Sequence, residues 1–422
     1  SMTDFLTATT RVTIVVPTGG YYVPPSTYPG YAAALLVTAM QDGTTVDIVD
    51  DDADGDDDDT CMDVKLDRGE SYMVYIQDGQ VNDDGDGNPG NSPPQKQRGD
   101  YFRVRSDKPI IVFQFTNSCY QHDFVPATNN ATAGTDFYFY AIENATGCAN
   151  SPQVDVIAYS DNTQVQLIDI THTPTITSGK TSVVSDTNGA VVLTATLNAG
   201  EHQIINLTEG HTYHLLANKR VTPQYGPLGH SLSGRRDGGA YVPAKNGRLT
   251  GRTFYFGIPY GGNCPEPHCD YERELRIVTY DDGADVSVRG WDTASSTWDD
   301  VHSEHLGPHG HLELVGSELG YDNDGVGYYF FEVLATADVS VFETNWFETG
   351  NYGTSDIATY VSAKTGSRGQ RFEAYLGPPG TEPDLEDGIG NVQLTHLYIF
   401  ANEETDVVAY DSDAYGEWIE LY

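Results

Sequence analysis

Apolar and polar residues alternate along much of this chain, and the alternating segments share one form. In residues 275–288, two alternating runs are joined by a short polar turn that contains Gly283. An alternation of period two puts side chains on opposite faces of a strand, so this segment is predicted to be a β-hairpin. Seven other segments have the same form, namely residues 5–16, 35–49, 101–115, 154–167, 213–224, 329–342 and 397–410.

Two short phrases recur between the predicted hairpins and reveal a longer repeat. One reads Tyr-Val-Pro-Ala at 241–244 and has variants at 22–25, 124–127 and 360–363. The other contains Gly-Glu at 69–70 and 200–201 and becomes Leu-Gly-Pro-His-Gly at 306–310. Such a repeat predicts a single all-β domain, residues 1–422, built from four double modules. The modules span approximately residues 19–118, 119–226, 227–345 and 346–422, and residues 1–18 complete the last one.

Composition supports an all-β fold and leaves two architectures open. Gly numbers 44 and Pro 21, helical signals are nearly absent, and Tyr, Val and Thr dominate the patterned segments. Because the repeats start and stop inside a module, we expect a β-propeller of about eight blades, closed by the N-terminal strands. Residues 5–16 then share a sheet with strands from residues 397–421. Tandem β-sandwiches of about seven strands each are the alternative.

The charge balance limits the classes of partner. The chain has 62 acidic and 22 basic residues, a net charge of −40. Nucleic acid and anionic membranes are therefore unfavourable partners, whereas divalent cations and cationic surfaces fit. Solubility in salty surroundings is the alternative explanation of the acidity. No apolar run is long enough for a transmembrane helix. Ser1-Met2 resembles a cloning remnant, so we expect a secreted or cell-surface protein whose signal peptide has been removed.

Two acidic loops are predicted to bind calcium. Carboxylates at alternate positions, with a Gly for the sharp turn, can supply the oxygens that a hard cation requires. Neither loop has the Glu or the flanking helices of an EF-hand, and solvated loops without an ion are the alternative. The first predicted site comprises Asp50, Asp52, Asp54 and Asp56, and the second comprises Asn82, Asp84 and Asp86. A third, shorter loop lies at residues 322–325.

The five cysteines suggest two disulfides. Cys264 and Cys269 flank a Pro-rich loop, and Cys119 and Cys148 both lie in predicted loops. We expect these two pairs to form disulfides and Cys61 to remain free. A metal site at 264–269, which also contains a His, is the alternative.

Candidate catalytic groups form no specific constellation in the sequence. Residues 229–233 begin like a nucleophile elbow but end in Ser, and the many carboxylates make any acid/base pair uninformative. Histidines gather at 302–311 and 202–214, where they could bind a metal or act as bases, although exposed strands are the simpler interpretation. The Arg235-Arg236 pair could bind an anion. A surplus of the 28 tyrosines at loop ends would suit glycan or protein binding.

The order of the phrases resembles the amino-terminal domain of IgGFc-binding protein and its bacterial relatives. That family has a Pro-containing segment, a Gly-aromatic strand, a Thr-x-Val turn, a Gly-Glu strand and a Ser-x-Lys-Pro-x-x-Val segment. The matching residues here are 241–244, 251–255, 43–46, 69–70 and 106–112. The resemblance implies a secreted or surface-attached binding module and no catalytic residue. The acidic loops and sparse cysteines depart from the family pattern.

These features predict an extracellular, non-enzymatic binding module of an adhesion type, stabilised by calcium, that recognises a glycan or a protein. The alternative function is a secreted carbohydrate-active enzyme, a lyase or hydrolase, on a propeller scaffold. An enzyme requires a pocket of titratable groups with perturbed pKa values, whereas a binding module requires a broad face rich in Tyr. A third possibility is a structural coat or filament subunit.

Overall fold

The computed structural model confirms an all-β fold. Within the described residues the one helical element is a short 3-10 turn, Gly316–Leu319, and no helix there could span a membrane. The described residues are 9–16, 33–50, 61–76, 100–116, 122–124, 133–141, 153–171, 175–177, 180–182, 189–199, 201–208, 210–226, 240–245, 247, 249–257, 270–292, 295–319, 328, 330–349, 352–361, 363, 406–407, 410–411 and 417–418.

Three successive modules, each a seven-stranded antiparallel sheet, follow one another along the chain. The strands of the first module are β1 (Thr9–Val16), β2 (Ala33–Ala39), β3 (Thr44–Asp50), β4 (Cys61–Leu66), β5 (Ser71–Ile76), β6 (Asp100–Thr116) and β7 (His122–Phe124). The strands of the second are β8 (Gly134–Tyr140), β9 (Gln153–Ala158), β10 (Thr163–Asp169), β13 (Ala190–Leu197), β14 (His202–Asn206), β15 (Thr212–Gly226) and β16 (Ala240–Tyr241). A separate hairpin, β11 (Thr175–Thr177) and β12 (Lys180–Ser182), lies between β10 and β13 in the sequence.

The third module repeats the same plan. Its strands are β17 (Gly251–Gly257), β18 (Asp270–Thr279), β19 (Ala284–Asp292), β20 (Thr297–Leu306), β21 (His311–Val315), β22 (Phe330–Thr349) and β23 (Tyr352–Val361). Two short strands, β24 (Tyr410–Asp411) and β25 (Glu417–Trp418), pair with each other.

Each module is built around one long strand that pairs with four others. In the first module, the first half of β6 pairs with β1 and β3, and the second half pairs with β2 and β7. The long strands β15 and β22 have equivalent partners. Each module therefore has two layers that share the long strand. Layer one contains its first half and the equivalents of β1, β3 and β4, and layer two contains its second half and the equivalents of β2, β5 and β7.

Where the structure describes both runs of a predicted hairpin, the predicted pairing is wrong, whereas the hairpin predicted at 397–410 lies almost entirely outside the described residues. Residues 101–115, 213–224 and 330–342 are each part of one continuous long strand rather than two paired strands. The two runs of 275–288 form β18 and β19, which pair with different halves of β22 and not with each other. Alternation identifies a strand but carries no information about its partner, which explains the error.

A hydrogen bond repeated in all three modules fixes the bend of the long strand. At each bend a short polar side chain accepts a hydrogen bond from the backbone N–H at the start of the equivalent of β3. Asp107 accepts from Thr45 at 2.7 Å, and Asn218 accepts from Gln164 at 2.8 Å. In the third module the hydroxyl of Thr336 accepts from Asp285 at 2.9 Å. The bend therefore satisfies a backbone donor that the turn would otherwise leave unpaired.

The hydrophobic core of each module lies between its two layers. In the first module, Val37 and Ala39 of layer two pack in one cluster with Val46 and Ile48 of layer one. In the third module, Leu275 of layer two occupies one cluster with residues of β17 and β19. The alternation found in the sequence therefore marks the inward-facing positions of both layers.

The Tyr-Val-Pro-Ala phrase joins consecutive modules through its alternate side chains. Tyr241 is buried in the core cluster of the first module, whereas Val242 and Ala244 lie in the core of the second. One repeat later, Tyr360 packs against the core of the second module, and Val361 lies in the core of the third. Neighbouring residues point to opposite sides of an extended chain, so the phrase contributes to two cores at once.

The eight blades of the predicted propeller are not confirmed. Blades are four-stranded sheets, whereas each described module is a seven-stranded sheet around a bent strand. The expected ring closure is also not observed in the described residues, because β1 pairs with β6 of the first module. Residues 9–16 therefore lie in the sheet of the first module, and most of residues 397–421, which were expected beside them, lie outside the described residues.

A close contact between Gly251 and Ala363 provides a test of the module boundary. A Cβ atom added to Gly251 would lie 2.6 Å from the Cβ of Ala363, and Gly134 meets Ala244 in the same way in the second module. We expect Gly251→Ala to destabilise the third module by about 1–3 kcal/mol because of this overlap. Chemical unfolding should show the loss, and the double variant Gly251→Ala with Ala363→Gly should recover most of it. Equal stability of Gly251→Ala and the parent chain would contradict the packing.

Candidate functional site

The predicted calcium sites and disulfides lie almost entirely outside the described residues. Asp50 ends β3 opposite Phe102, but its side chain is not among those described. Cys61 begins β4 opposite Ile48. The described side chains contain no group of His, Cys, Asp or Glu arranged to hold a metal ion. The predicted residues outside the described part are Asp52, Asp54, Asp56, Asn82, Asp84, Asp86, Cys119, Cys148, Cys264 and Cys269.

Most histidines of the two groups found in the sequence form pairs with carboxylates. Such an imidazole is oriented by its acidic neighbour and gains charge–charge attraction when it is protonated. The described pairs are His202 with Asp155, His211 with Asp169, His214 with Asp136, His302 with Glu304, His305 with Asp285, and His309 with Asp281.

Two of these pairs meet at the junction between the second and third modules. The ring of Tyr138, on the outward face of β8, stacks on His214 of its own module with centroids 4.0 Å apart. It also stacks on His309 of the third module at 4.8 Å. The two planes lie within 18° of the Tyr138 ring plane. A single aromatic ring therefore contacts an imidazole from each module. The three residues are far apart in the sequence, so the sequence alone did not indicate that they meet.

Carboxylates and one lysine complete the polar side of this junction. His309 Nε2 is 2.7 Å from Asp281 Oδ1, and the hydroxyl of Tyr138 donates to the same oxygen at 3.3 Å. Lys245 bonds to Asp281 and lies 3.8 Å from Asp136. Hydrogen bonds from Lys245 and then from His309 lower the pKa of Asp281 to about 2. Burial, followed by the nearby charges of Asp136 and Asp281, raises the pKa of Tyr138 far above its ordinary value.

A second group of the junction is more deeply buried. His311 of β21 is fully buried and stacks on Tyr140 of the second module at 3.9 Å. The guanidinium of Arg276 lies 5.1 Å from the centre of the Tyr140 ring and donates to Glu313 at 2.8 Å. Burial lowers the pKa of His311 to about 4, so this imidazole is neutral at physiological pH. The position equivalent to His311 in the second module is the buried His202.

A departure from the repeat places His309 in the junction. In the first module the corresponding turn has Gly69 at a φ of 83°, and Glu70 accepts a hydrogen bond from the N–H of Asp67 at 2.6 Å. The third module has His309 at the Gly position, with a φ of 56°, and Gly310 at the Glu position. A left-handed conformation is costly for a residue with a side chain, so the imidazole contacts of His309 offset a local cost. The altered phrase at 306–310 was the sequence signal for this site.

The arrangement is suited to holding two modules together. Tyr138, Tyr140 and Ile170 of the second module form one apolar cluster with Val278 and Tyr280 of the third. The charged groups surround this cluster and pair across the boundary, as Lys245 does with Asp281. One member is nevertheless accessible, because the side chain of Asp281 is 56% exposed. Polar chemistry at the rim and apolar packing inside are typical of an interface.

No protein-family model matches the chain, and no curated protein sequence is similar enough to it to count as a relative. The family resemblance noted from the short phrases therefore stays a hypothesis. The interpretation of the junction depends on its geometry alone.

The buried His311 predicts a pH dependence of stability. The unfolded chain takes up this proton near pH 6.5, whereas the folded junction does so only near pH 4. Between these values the unfolded state binds more protons, so stability should fall by up to about 3 kcal/mol as the pH drops from about 6.5 to about 4. We expect His311→Phe, which keeps a stacked ring, to reduce this dependence. Melting temperatures measured from pH 4 to pH 7.5 would show it.

The matched control is His305→Gln, since His305 and its partner Asp285 are both about 70% exposed. That variant should keep the parental pH dependence. The same pH profile for His311→Phe and the parent chain would contradict a buried neutral imidazole.

Proposed function

We propose that this chain is an extracellular, non-enzymatic binding module of an adhesion type that recognises a glycan or a protein at a surface. The proposal is supported by the role of the polar groups that converge at the junction, which is to hold two modules together. Two His–Asp pairs, a lysine and a stacked tyrosine fix the third module on the second. Modules held in a fixed relation present a pre-organised surface, which lowers the entropic cost of binding.

For the architecture, we propose a tandem array of two-layered sandwich modules in place of the eight-bladed propeller. The support is the strand order, which is the same in the three described modules, and the Tyr phrase that links their cores. The resemblance to the amino-terminal domain of IgGFc-binding protein agrees with a repeated, surface-attached protein, and its secreted location is part of this proposal.

The binding function is tested by presenting the full chain to arrays of glycans and of extracellular proteins, with calcium and with chelator. Retention on a defined set of ligands, lost when a soluble competitor is added, is the expected result. A matched sample with Val192→Ala, which changes an exposed side chain of β13 that is not part of the junction cluster, should bind equally well. An absence of retention on every glycan and protein surface would contradict the proposal.

One observation favours the alternative function, a secreted carbohydrate-active enzyme. The half-exposed Asp281, with His309 and Lys245 bonded to it, is a carboxylate that a substrate could reach. Any glycan that is retained should therefore be incubated with the chain and analysed for shorter or unsaturated products. We expect the glycan to be recovered unchanged. Product formation that Asp281→Asn abolishes would establish the enzyme instead.

Calcium is the proposed stabilising ion of the two acidic loops. Eight of the ten residues at 50–59 are Asp, and their mutual repulsion would open the loop unless a cation neutralises it. An ion that binds only the folded state stabilises it by mass action. We expect chelation to lower the melting temperature and added calcium to restore it. The double variant Asp52→Ala with Asp54→Ala should lose most of the response from the first loop.

Magnesium at equal ionic strength is the control for simple screening of charge. If chelator leaves the melting temperature unchanged and calorimetry at millimolar calcium detects no heat of binding, the acidic loops are solvated and hold no ion.

A further inference from the structure

The second module has an uncharged edge strand in a strongly acidic chain. Strand β13 lies at the end of the strand order of its sheet, and β10 is the one strand paired with it among the described residues. It contains no charged residue, and Asp169 is the one charged residue of β10. An edge strand presents unpaired backbone N–H and C=O groups, and charged side chains are a common protection against pairing with another chain. Strand β13 lacks this protection.

The equivalent edge strands of the other two modules carry charges. These strands are β4 and β20, and each ends in a Leu opposite the first residue of the preceding strand, as β13 does. Three residues before that Leu, the first module has Asp63, the second has Thr194 and the third has Ser303. Strand β20 also contains three acidic residues and two histidines. The repeat therefore keeps charged groups on this edge in the first and third modules and omits them in the second.

Strand β13 also carries exposed apolar side chains. Val191 is 56% exposed and Val192 is 44% exposed, and the one other exposed large hydrophobic side chain among the described residues is Val407. Val191 lies opposite Ile168, which packs against the apolar cluster of the junction between the second and third modules. A shift of register leaves Val192 without a partner on β10. Apolar surface therefore continues from the junction to the edge of the sheet, as is typical of an interaction site.

A second copy of this chain fits this edge. Each copy has a net charge of −40, so two copies repel each other wherever their acidic surfaces meet. Strand β13 adds nothing to that repulsion, because it has no charge. Antiparallel pairing of two β13 strands gives both exposed edges a hydrogen-bonding neighbour at once. Such a contact has two-fold symmetry, so it closes as a dimer and does not extend into a fibre.

We propose that β13 is a dimerisation edge, at which two copies of this chain pair their β13 strands in antiparallel orientation. The pairing puts the β-branched side chains of Val191, Thr194 and Thr196 beside those of the second copy, and such residues favour strand pairs. It also gives the exposed valines an apolar neighbour. The contact is separate from the proposed binding function, and β13 contributes no residue to the junction cluster.

Sedimentation velocity of the full chain, over a range of protein and NaCl concentrations, tests the proposal. We expect an equilibrium of monomer and dimer that shifts toward the dimer as NaCl is added, because salt screens the repulsion between two acidic chains. A contact held by opposite charges would weaken instead. Thr194→Asp gives the second module the charge that Asp63 gives the first. It should weaken the dimer by about tenfold or more, since each side of the strand pair then gains a negative charge.

The matched control is Ser303→Asp, the same change at the equivalent position of β20. Thr194 and Ser303 are both exposed, so both variants should fold with the circular dichroism and melting temperature of the parent chain. Ser303→Asp should leave the dissociation constant of the dimer unchanged. Equal weakening of the dimer by the two variants would overturn the proposal, because it would assign the effect to total charge.

Hydrogen exchange followed by mass spectrometry locates the contact. The backbone amides of residues 190–197 should exchange more slowly as the protein concentration rises, whereas those of β20 should not change. A monomer at every protein and salt concentration, or a dimer without protection of β13, would overturn the proposal. Loss of retention on the glycan and protein arrays in Thr194→Asp, with a parent chain that is monomeric, would also overturn it and assign the edge to a different partner.

Discussion

The bent long strand is the constraint on which each module depends. One strand supplies backbone hydrogen bonds to four others, because β1 and β3 pair with the first half of β6 and β2 and β7 pair with its second half. The polar side chain at the bend of β6 is Asp107 in the first module. It connects the bend to the start of β3 by accepting one hydrogen bond from the backbone of Thr45. The two layers are therefore not independent sheets, and disruption at the bend affects both faces of the core.

The junction shows how a repeat can become specific without a change of fold. Gly69 in the first module adopts a left-handed conformation that a Gly adopts at little cost. The third module keeps that backbone conformation but has His309 there, and the imidazole reaches Tyr138 of the neighbouring module. The turn loses the Glu that caps it in the first module, and gains the stacking of His309 on Tyr138 of the second module. Local turn stability is thus exchanged for an interaction between modules.

Much of the fold could be predicted from the sequence because alternation and repetition are local properties. The all-β class, the turn at Gly283 and the recurrence of Tyr241 and Tyr360 were all visible in the residues. Pairing was not visible, because a run such as 275–279 fits equally well beside its sequence neighbour or beside a distant strand. The site was also hidden, since the hydrogen bond from Tyr138 to Asp281 joins residues 143 positions apart. The altered phrase around His309 was the signal that a closer comparison of the repeats would have revealed.

The shared Tyr residues have a consequence for how the modules fold and how they can be separated. Tyr241 belongs to the sheet of the second module, through β16, but is buried in the core of the first. A fragment that stops before β16 would leave a hole in the first core and remove part of the boundary. The stable folding unit is consequently a module together with the Tyr-Val-Pro-Ala phrase that completes its core. The stability of each module should therefore depend on its neighbour, as it does in solenoid repeats. Shuffling of modules in evolution would therefore succeed best with breaks placed after Ala244 or Ala363.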